Sequence, residues 1–344
     1  MCENCTTSTR GSEAGASRRG VLRGAVLGGA GVAAGLTAAS PAQAAEAVPI
    51  PEAETVEPAR KSVGVGLRWL GVAGWEISFD GRVLYFDPYL SRFDYRLQGG
   101  ALRTDPRVIE GLLASGRLAG PPELIMVSHG HWDHMADVPY LLGRKEWKQG
   151  TIDTIGTETH AHLLRAMGVE RSVIVASGGE YLAFAGGAYT VEVIRSLHSQ
   201  SGGHGFFAPG TRTAPPPPPA TIDDLVEGGT LAYQVTVPGR LKVLMFGGTN
   251  FVERELAGLR PDVVVVSMTD FSTVHEYLPR LLTALGGPRY VIPSHHDDMI
   301  TGYDDPNLPK TVRAQAVTDL RDAIRRAGLP SRVLPVAHLQ RLDF

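Results

Sequence analysis

From Val63 onward, apolar positions fall in short runs separated by turn residues. LRWLGVAGWEISFDGRVLYFDPYL reads as three strands, near 65–70, 74–80 and 82–87, with Asp80-Gly81 as a tight turn between the last two. That is an antiparallel meander. Beyond it, continuous apolar runs at 124–127, 173–176, 191–194, 231–237, 243–246, 263–266 and 290–292 predict buried strands. Helical spacing predicts helices near 106–115, 135–143, 158–167, 274–285 and 310–327; in the last, Leu320, Ile324 and Ala327 share a face, and Gly328 and Pro330 stop it. No repeat at a solenoid period is visible. Many strands with helices outside them predict an α+β fold of two packed sheets covered by helices.

The first 44 residues follow a different pattern. Arg18 and Arg19 precede a weakly apolar Ala/Gly run that ends in Ala42-Gln43-Ala44, a small-x-small cleavage pattern. The segment resembles a twin-arginine export signal, which places the mature protein in the periplasm, the cell wall or the medium. So much Ala and Gly is too little apolar payload for a membrane span, so no transmembrane anchor is expected after cleavage. Residues 45–62, rich in Pro, Glu and Ala, read as a mature N-terminal tail, leaving 63–344 as the folded domain.

Composition narrows the chemistry. The 344-residue chain has 33 basic and 36 acidic residues; without residues 1–44 the balance is 29 to 34, a net charge of −5. No basic stretch suggests nucleic acid or an anionic membrane surface. Both cysteines, Cys2 and Cys5, lie in the export segment, and no second pair completes a zinc motif. Any metal in the mature chain must therefore be held by His, Asp or Glu.

SHGHWDH, residues 128–134, supplies such donors densely. It follows the apolar run 124–127, so it is a loop at the end of a buried strand leading into a helix near His134. His129 and His131 are two apart, and an extended segment points both to one side. Imidazole nitrogens suit zinc and similar divalent ions. Asp133 and His134, at the turn into the helix, can face the same cavity as a second cluster.

His129-Gly130-His131-Trp132-Asp133-His134 resembles the His-x-His-x-Asp-His signature of the metallo-β-lactamase superfamily, and the likeness runs along nearly all of the chain after residue 63. It implies an αββα sandwich of two mixed sheets with a metal site at one edge. It implies a third histidine after a later strand, supplied by His198, to form a first site with His129 and His131; His204 is a loop competitor. It implies a last ligand after a late strand, where RYVIPSHHDDM offers His295 and His296. Neighbours on an extended segment point opposite ways, and Val-Ile-Pro-x-His puts His295 in the ligand position, completing a second site with Asp133 and His134.

One ligand that the resemblance implies is missing. Where a Gly-Asp-Thr stretch would carry a bridging aspartate, this chain reads Gly247-Gly248-Thr249. The expectations, in order, are one ion at His129, His131 and His198; two ions with Asp270, Asn250 or water in the gap; or a degenerate site. The ion implied is zinc, with manganese or ferrous iron as alternatives.

Asp87, in LYFDPYL, is expected to orient a ligand histidine. Asp297 and Asp298 either do similar work or begin the next loop. His160, His162, His275 and His338 are expected in core or surface roles, as are Trp69, Trp75 and Trp132 unless they line a pocket. The Gly- and Pro-rich segment 199–229 leaves directly from His198 and is expected to overhang the site, with Phe206 and Phe207 as apolar contacts.

The resemblance implies a hydrolase in which a cation acidifies water for attack on an ester, lactone or phosphodiester, with Asp133 orienting the water or moving its proton. The Trp69-to-Trp75 opening is similar to that of the lactonase and N-acylethanolamine phospholipase D-like branch, which points to a small-molecule or lipid-like substrate. A catalytically degenerate metal- or ligand-binding protein is the alternative.

Overall fold

The computed structural model describes residues 63–147 and 152–344. Residues 1–44 and 45–62, read above as an export signal and a tail, lie wholly outside the described residues.

The meander forms as expected: β1 (Gly66–Gly71), β2 (Gly74–Phe79) and β3 (Arg82–Phe86) pair antiparallel. Asp80 and Gly81 both take positive φ, +47° and +76°, the conformation a two-residue type I′ hairpin turn requires. Helix α1 (Pro106–Ala114) then leads to β4 (Leu124–Met126), α2 (Trp132–Met135), α3 (Val138–Gly143), β5 (Asp153–Gly156), α4 (Glu158–Ala166) and β6 (Ile174–Val175). The second half comprises β7 (Tyr181–Phe184), β8 (Tyr189–Arg195), β9 (Leu231–Val237), β10 (Leu241–Phe246), β11 (Val263–Ser267), α5 (Tyr277–Ala284), β12 (Tyr290–Ser294), α6 (Ala314–Arg326), β13 (Arg332–Val333) and β14 (Arg341–Asp343).

Two seven-stranded sheets result. Their orders are β14-β1-β2-β3-β4-β5-β6 and β13-β12-β11-β10-β9-β8-β7. Each is mixed: β3 to β6 and β10 to β13 run parallel, and the remaining pairs are antiparallel.

Alternation along the strands sorts side chains between layers. Leu124 and Met126 of β4, with Val263 and Val265 of β11, fill the space between the sheets. Ile125 packs outward with Ile109 of α1, Leu141 of α3 and Leu163 of α4. Val264 and Val266 pack outward against Leu281 of α5 and Leu320 of α6. The central strands are buried on both faces, which is why they read as unbroken apolar runs. The architecture is the expected αββα sandwich.

Several element boundaries differ from expectation. The helix expected over 135–143 begins earlier and is broken into α2 and α3. Pro139 has no N–H to continue α2, and the Asp137 carboxylate turns away to accept from Leu90 N, Ser91 N and Ser91 Oγ. His134 therefore lies inside α2 rather than at a helix start. The helix expected over 310–327 begins at Ala314, and the one over 274–285 at Tyr277, each after a short 3-10 turn. Strands β5, β7, β13 and β14 escape the sequence pattern.

Candidate metal centre

The loop after β4 carries SHGHWDH to the edge of the sandwich, where β8 delivers His198 and β12 delivers His295. Gly130 allows this loop to form. Any side chain there would collide with the Val226 carbonyl, and the Gly130 N–H donates to Glu227 O at 2.8 Å, so segment 199–229 clamps the loop from above. This segment also closes over the donors: Ala208 O lies 3.3 Å from His131 Nε2.

The donors fall into two groups of three, His129, His131 and His198, and Asp133, His134 and His295, with donor atoms within 4.8 Å of one another in each. In the first, His198 Nε2 is 3.0 Å from His131 Nδ1 and 3.2 Å from His129 Nε2. The opposite nitrogens have acceptors of their own. His198 Nδ1 donates to Ser199 O at 2.7 Å, His131 Nε2 to Ala208 O, and His129 Nδ1 meets Ser128 Oγ at 3.0 Å. These partners set the tautomers so that three lone pairs face one another. Burial holds all three imidazoles neutral: His129 well below its ordinary value, His131 at about 4 and His198 at about 3. Facing lone pairs without a proton between them suit a divalent cation, so the donor set fits one.

The second group is charged. Burial pulls His134 down, but Asp133 and then Asp87 outweigh it and push the imidazole up to about 10. Burial raises Asp133, yet His134 and His295 outweigh it and hold the carboxyl well below its usual range. Asp133 Oδ2 lies 3.4 Å from His134 Nε2 and 3.2 Å from His295 Nε2. His134 Nδ1 donates to Asp87 Oδ2 at 2.7 Å, and Ser128 N and Oγ donate to the same carboxylate at 2.7 and 2.6 Å. Asp87 thus orients the candidate ligand His134 while Ser128 anchors it. Ser128, which joins Asp87 to His129, escaped the sequence reading, although its place directly before the first histidine was a usable signal.

His295 takes φ +52°, and its N–H donates to Val72 O at 2.7 Å. Val72 O also accepts from Trp69 Nε1 and Ser294 Oγ, so the β1–β2 turn holds this ligand candidate in its left-handed conformation. His296 points elsewhere, its ring stacked on Trp69 with centroids 4.7 Å apart. Asp297 is turned from the cavity: it accepts from Val72 N, Arg92 Nη1 at 2.9 Å and His338 Nε2 at 2.7 Å. Asp298 closes the following loop by accepting from Thr301 and Ile300. Trp69 and Trp75 are core residues, while Trp132 lines the cavity.

Of the residues weighed for the missing bridge, Asp270 lines the cavity, whereas Asn250 spends its carbonyl oxygen on Phe251 N. Gly248 does not border the cavity; Gly247 does. A Cβ at Gly248 would come within 2.9 Å of Leu197 O, so the backbone has closed up where the bridging carboxylate was expected. His204 is an exposed loop residue outside the cavity lining, and His160 is a buried structural residue held by Thr157 and Glu227.

Residues 66–295 match the Beta-lactamase superfamily domain. The chain belongs to that superfamily. Solved structures similar to it include a possible metal-dependent hydrolase from Veillonella parvula, at 16% identity and TM-score 0.50, covering 82% of this chain and 99% of that one. Isothiocyanate hydrolase from Delia radicum gut bacteria is similar at 17% identity and TM-score 0.50, with 81% and 99% covered. A metallo hydrolase from the archaeon Ignicoccus hospitalis reaches 17% and 0.49, with 81% and 98% covered. At these identities the likeness is one of fold, and the superfamily fold is the αββα sandwich described above. No curated protein sequence matches the chain. Among the described residues, no helix is long and apolar enough to cross a membrane.

Proposed function

We propose that this superfamily member is an exported metal-dependent hydrolase of an ester, lactone or phosphodiester. The observation that carries the reading is the convergence of three neutral, tautomer-fixed imidazoles beside an ionised Asp133 in one open cavity. His129, His131 and His198 would hold the ion, with Asp133, His134 and His295 as a second, weaker position. An all-nitrogen set favours zinc over manganese or ferrous iron. When bound, the cation supplies Lewis acidity, polarising the scissile group and lowering the pKa of water toward neutrality.

The chain's own groups do the remainder. Asp133, kept ionised by His134 and His295, would accept a hydrogen bond from the attacking water and orient it, or pass its proton onward. Asp87 and Ser128 hold His134 and His129 in place, and segment 199–229 overhangs the first group. The closed backbone at Gly248 favours one tightly held ion over two. Export rests on the Arg18-Arg19 signal, and the lactonase or phospholipase D-like branch on the Trp69-to-Trp75 opening.

Metal analysis and turnover test the proposal together. The mature protein should hold near-stoichiometric zinc and hydrolyse at least one member of a panel of esters, lactones, phosphodiesters and an isothiocyanate, the last taken from the name of one fold neighbour. His131→Ala should abolish turnover. Bound metal with no turnover across the panel would instead support the degenerate binding protein.

A further inference from the structure

The cavity over the donors has a volume of about 280 Å³ and a divided lining. One wall is the six donor residues. The remainder is mostly apolar, Tyr95, Trp132, Phe206, Phe207, Ile222 and Met299, broken by Ser199, Ser201, Thr269 and Asp270. Among the described residues, no lysine or arginine lines the cavity, and the charged side chains there other than histidine are Asp133 and Asp270. Buried Arg92 is already committed to Asp297, Asp298 and the Thr301 carbonyl.

The apolar wall begins at the reacting centre itself. Phe206 lies 4.7 Å from the His198 ring and Phe207 5.3 Å from the His131 ring, centroid to centroid. Trp132 sits inside the donor loop and is fixed by Tyr89, Phe93 and Tyr95, at 5.2, 5.2 and 4.7 Å. A substituent on a group held at the donors therefore meets aromatic surface at once. A carboxylate or phosphate on that substituent would lose water and meet only neutral hydroxyls, those of Ser199, Ser201 and Thr269, beside the like-charged Asp270.

We infer that the site selects uncharged substrates carrying an apolar arm, and that Phe206, Phe207 and Trp132 form the subsite for that arm. The inference rests on the hydrolytic reading of the cavity and deepens it. At about 30 Å³ for each water-sized group, the space holds roughly nine non-hydrogen atoms, reacting group and arm together. An anionic acyl chain, or a substrate recognised through a free carboxylate on its arm, is disfavoured because no described lysine or arginine stands beside the arm to pair with it.

Hydroxamates test this without turnover, because they anchor on zinc and send a chain into the cavity. Pentanohydroxamic acid and its ω-carboxy counterpart, short enough for both ends to stay within the cavity, are titrated into the zinc-loaded protein, with binding read by tryptophan fluorescence and calorimetry. The methyl-ended chain should bind about tenfold tighter or more, since the carboxylate end is desolvated without a partner. Phe207 is 40% exposed, so Phe207→Arg leaves the fold intact and should erase or invert the preference. Equal or tighter binding of the carboxylate-ended chain by the unaltered protein overturns the inference, as does failure of both to bind protein shown to hold zinc. If the methyl-ended chain wins while no ester, lactone or phosphodiester is cleaved, the hydrolase reading fails and the subsite stands.

Discussion

Loading zinc into the metal-free protein should expose a difference in proton content between the two donor groups. Burial holds His129 well below its ordinary value, and His131 and His198 at about 4 and about 3, so an ion entering there near neutral pH displaces no proton. His134 titrates at about 10 and must give up a proton before its nitrogen can serve. At pH 6 the gap is about four units, and at 1.36 kcal/mol per unit the second position is weakened by about 5 kcal/mol. That pH also keeps a zinc-held water largely protonated, so water does not blur the count. Calorimetric titration in buffers of different ionisation enthalpy should show a tight event releasing almost no protons and a weak one releasing about one per ion. Between pH 6 and 8 the weak event should tighten about a hundredfold while the tight one moves little. His295→Ala identifies the weak event by removing it. A tight event that releases a full proton at pH 6, or equal pH dependence of the two, would refute the reasoning.

Metal-free protein should lose stability as pH falls from about 6.5 toward 4, because the unfolded chain then binds protons at His129, His131 and His198 that the folded one does not. His134 acts in the opposite sense: its contribution is complete below about 6.5 and is lost as pH rises through about 10. Urea midpoints across this range should trace a maximum near neutrality, and a flat profile would contradict the assignment. Asp297→Ala leaves Arg92 and His338 facing each other without their shared anion, and should cost about 3–5 kcal/mol in urea unfolding; a loss below 1 kcal/mol or so would show the network to be dispensable. Gly248→Ala forces a methyl to within 2.9 Å of Leu197 O and should lower stability by about 1–3 kcal/mol while weakening zinc at the neighbouring His198. Thermal melts with and without zinc measure both effects, and an unchanged zinc increment would separate the glycine from the donor group.

How much of this was legible in the sequence depends on burial. Strands such as β11, apolar on both faces, announce themselves as VVVV, and the dense donors of residues 128–134 do the same for the metal loop. Strand β7 alternates exposed and half-buried positions at a sheet edge, and β13 and β14 are two and three residues long with arginine or aspartate among them, so no periodicity could form. The surroundings of His295 were hidden for another reason. Val72 N meets Asp297 across 225 residues, and His338 reaches it from beyond α6; such contacts leave no local pattern. Composition of the 199–229 segment pointed to an overhang, but the role of Gly130 beneath it depends on the path of the Val226 backbone, which only the folded chain supplies.

Each donor group takes two members from the segment that runs from β4 into α2 and one from the opposite sheet, His198 for the first and His295 for the second. Grafting SHGHWDH onto another scaffold would therefore deliver only two donors per ion, half of a tetrahedral zinc shell. A chimera joining one sheet to a relative's partner sheet would likewise have to reproduce the seam between them before either ion could be held. The transferable unit is the shared edge of the sandwich, and the motif is only the part of that edge contiguous enough to be read in a line.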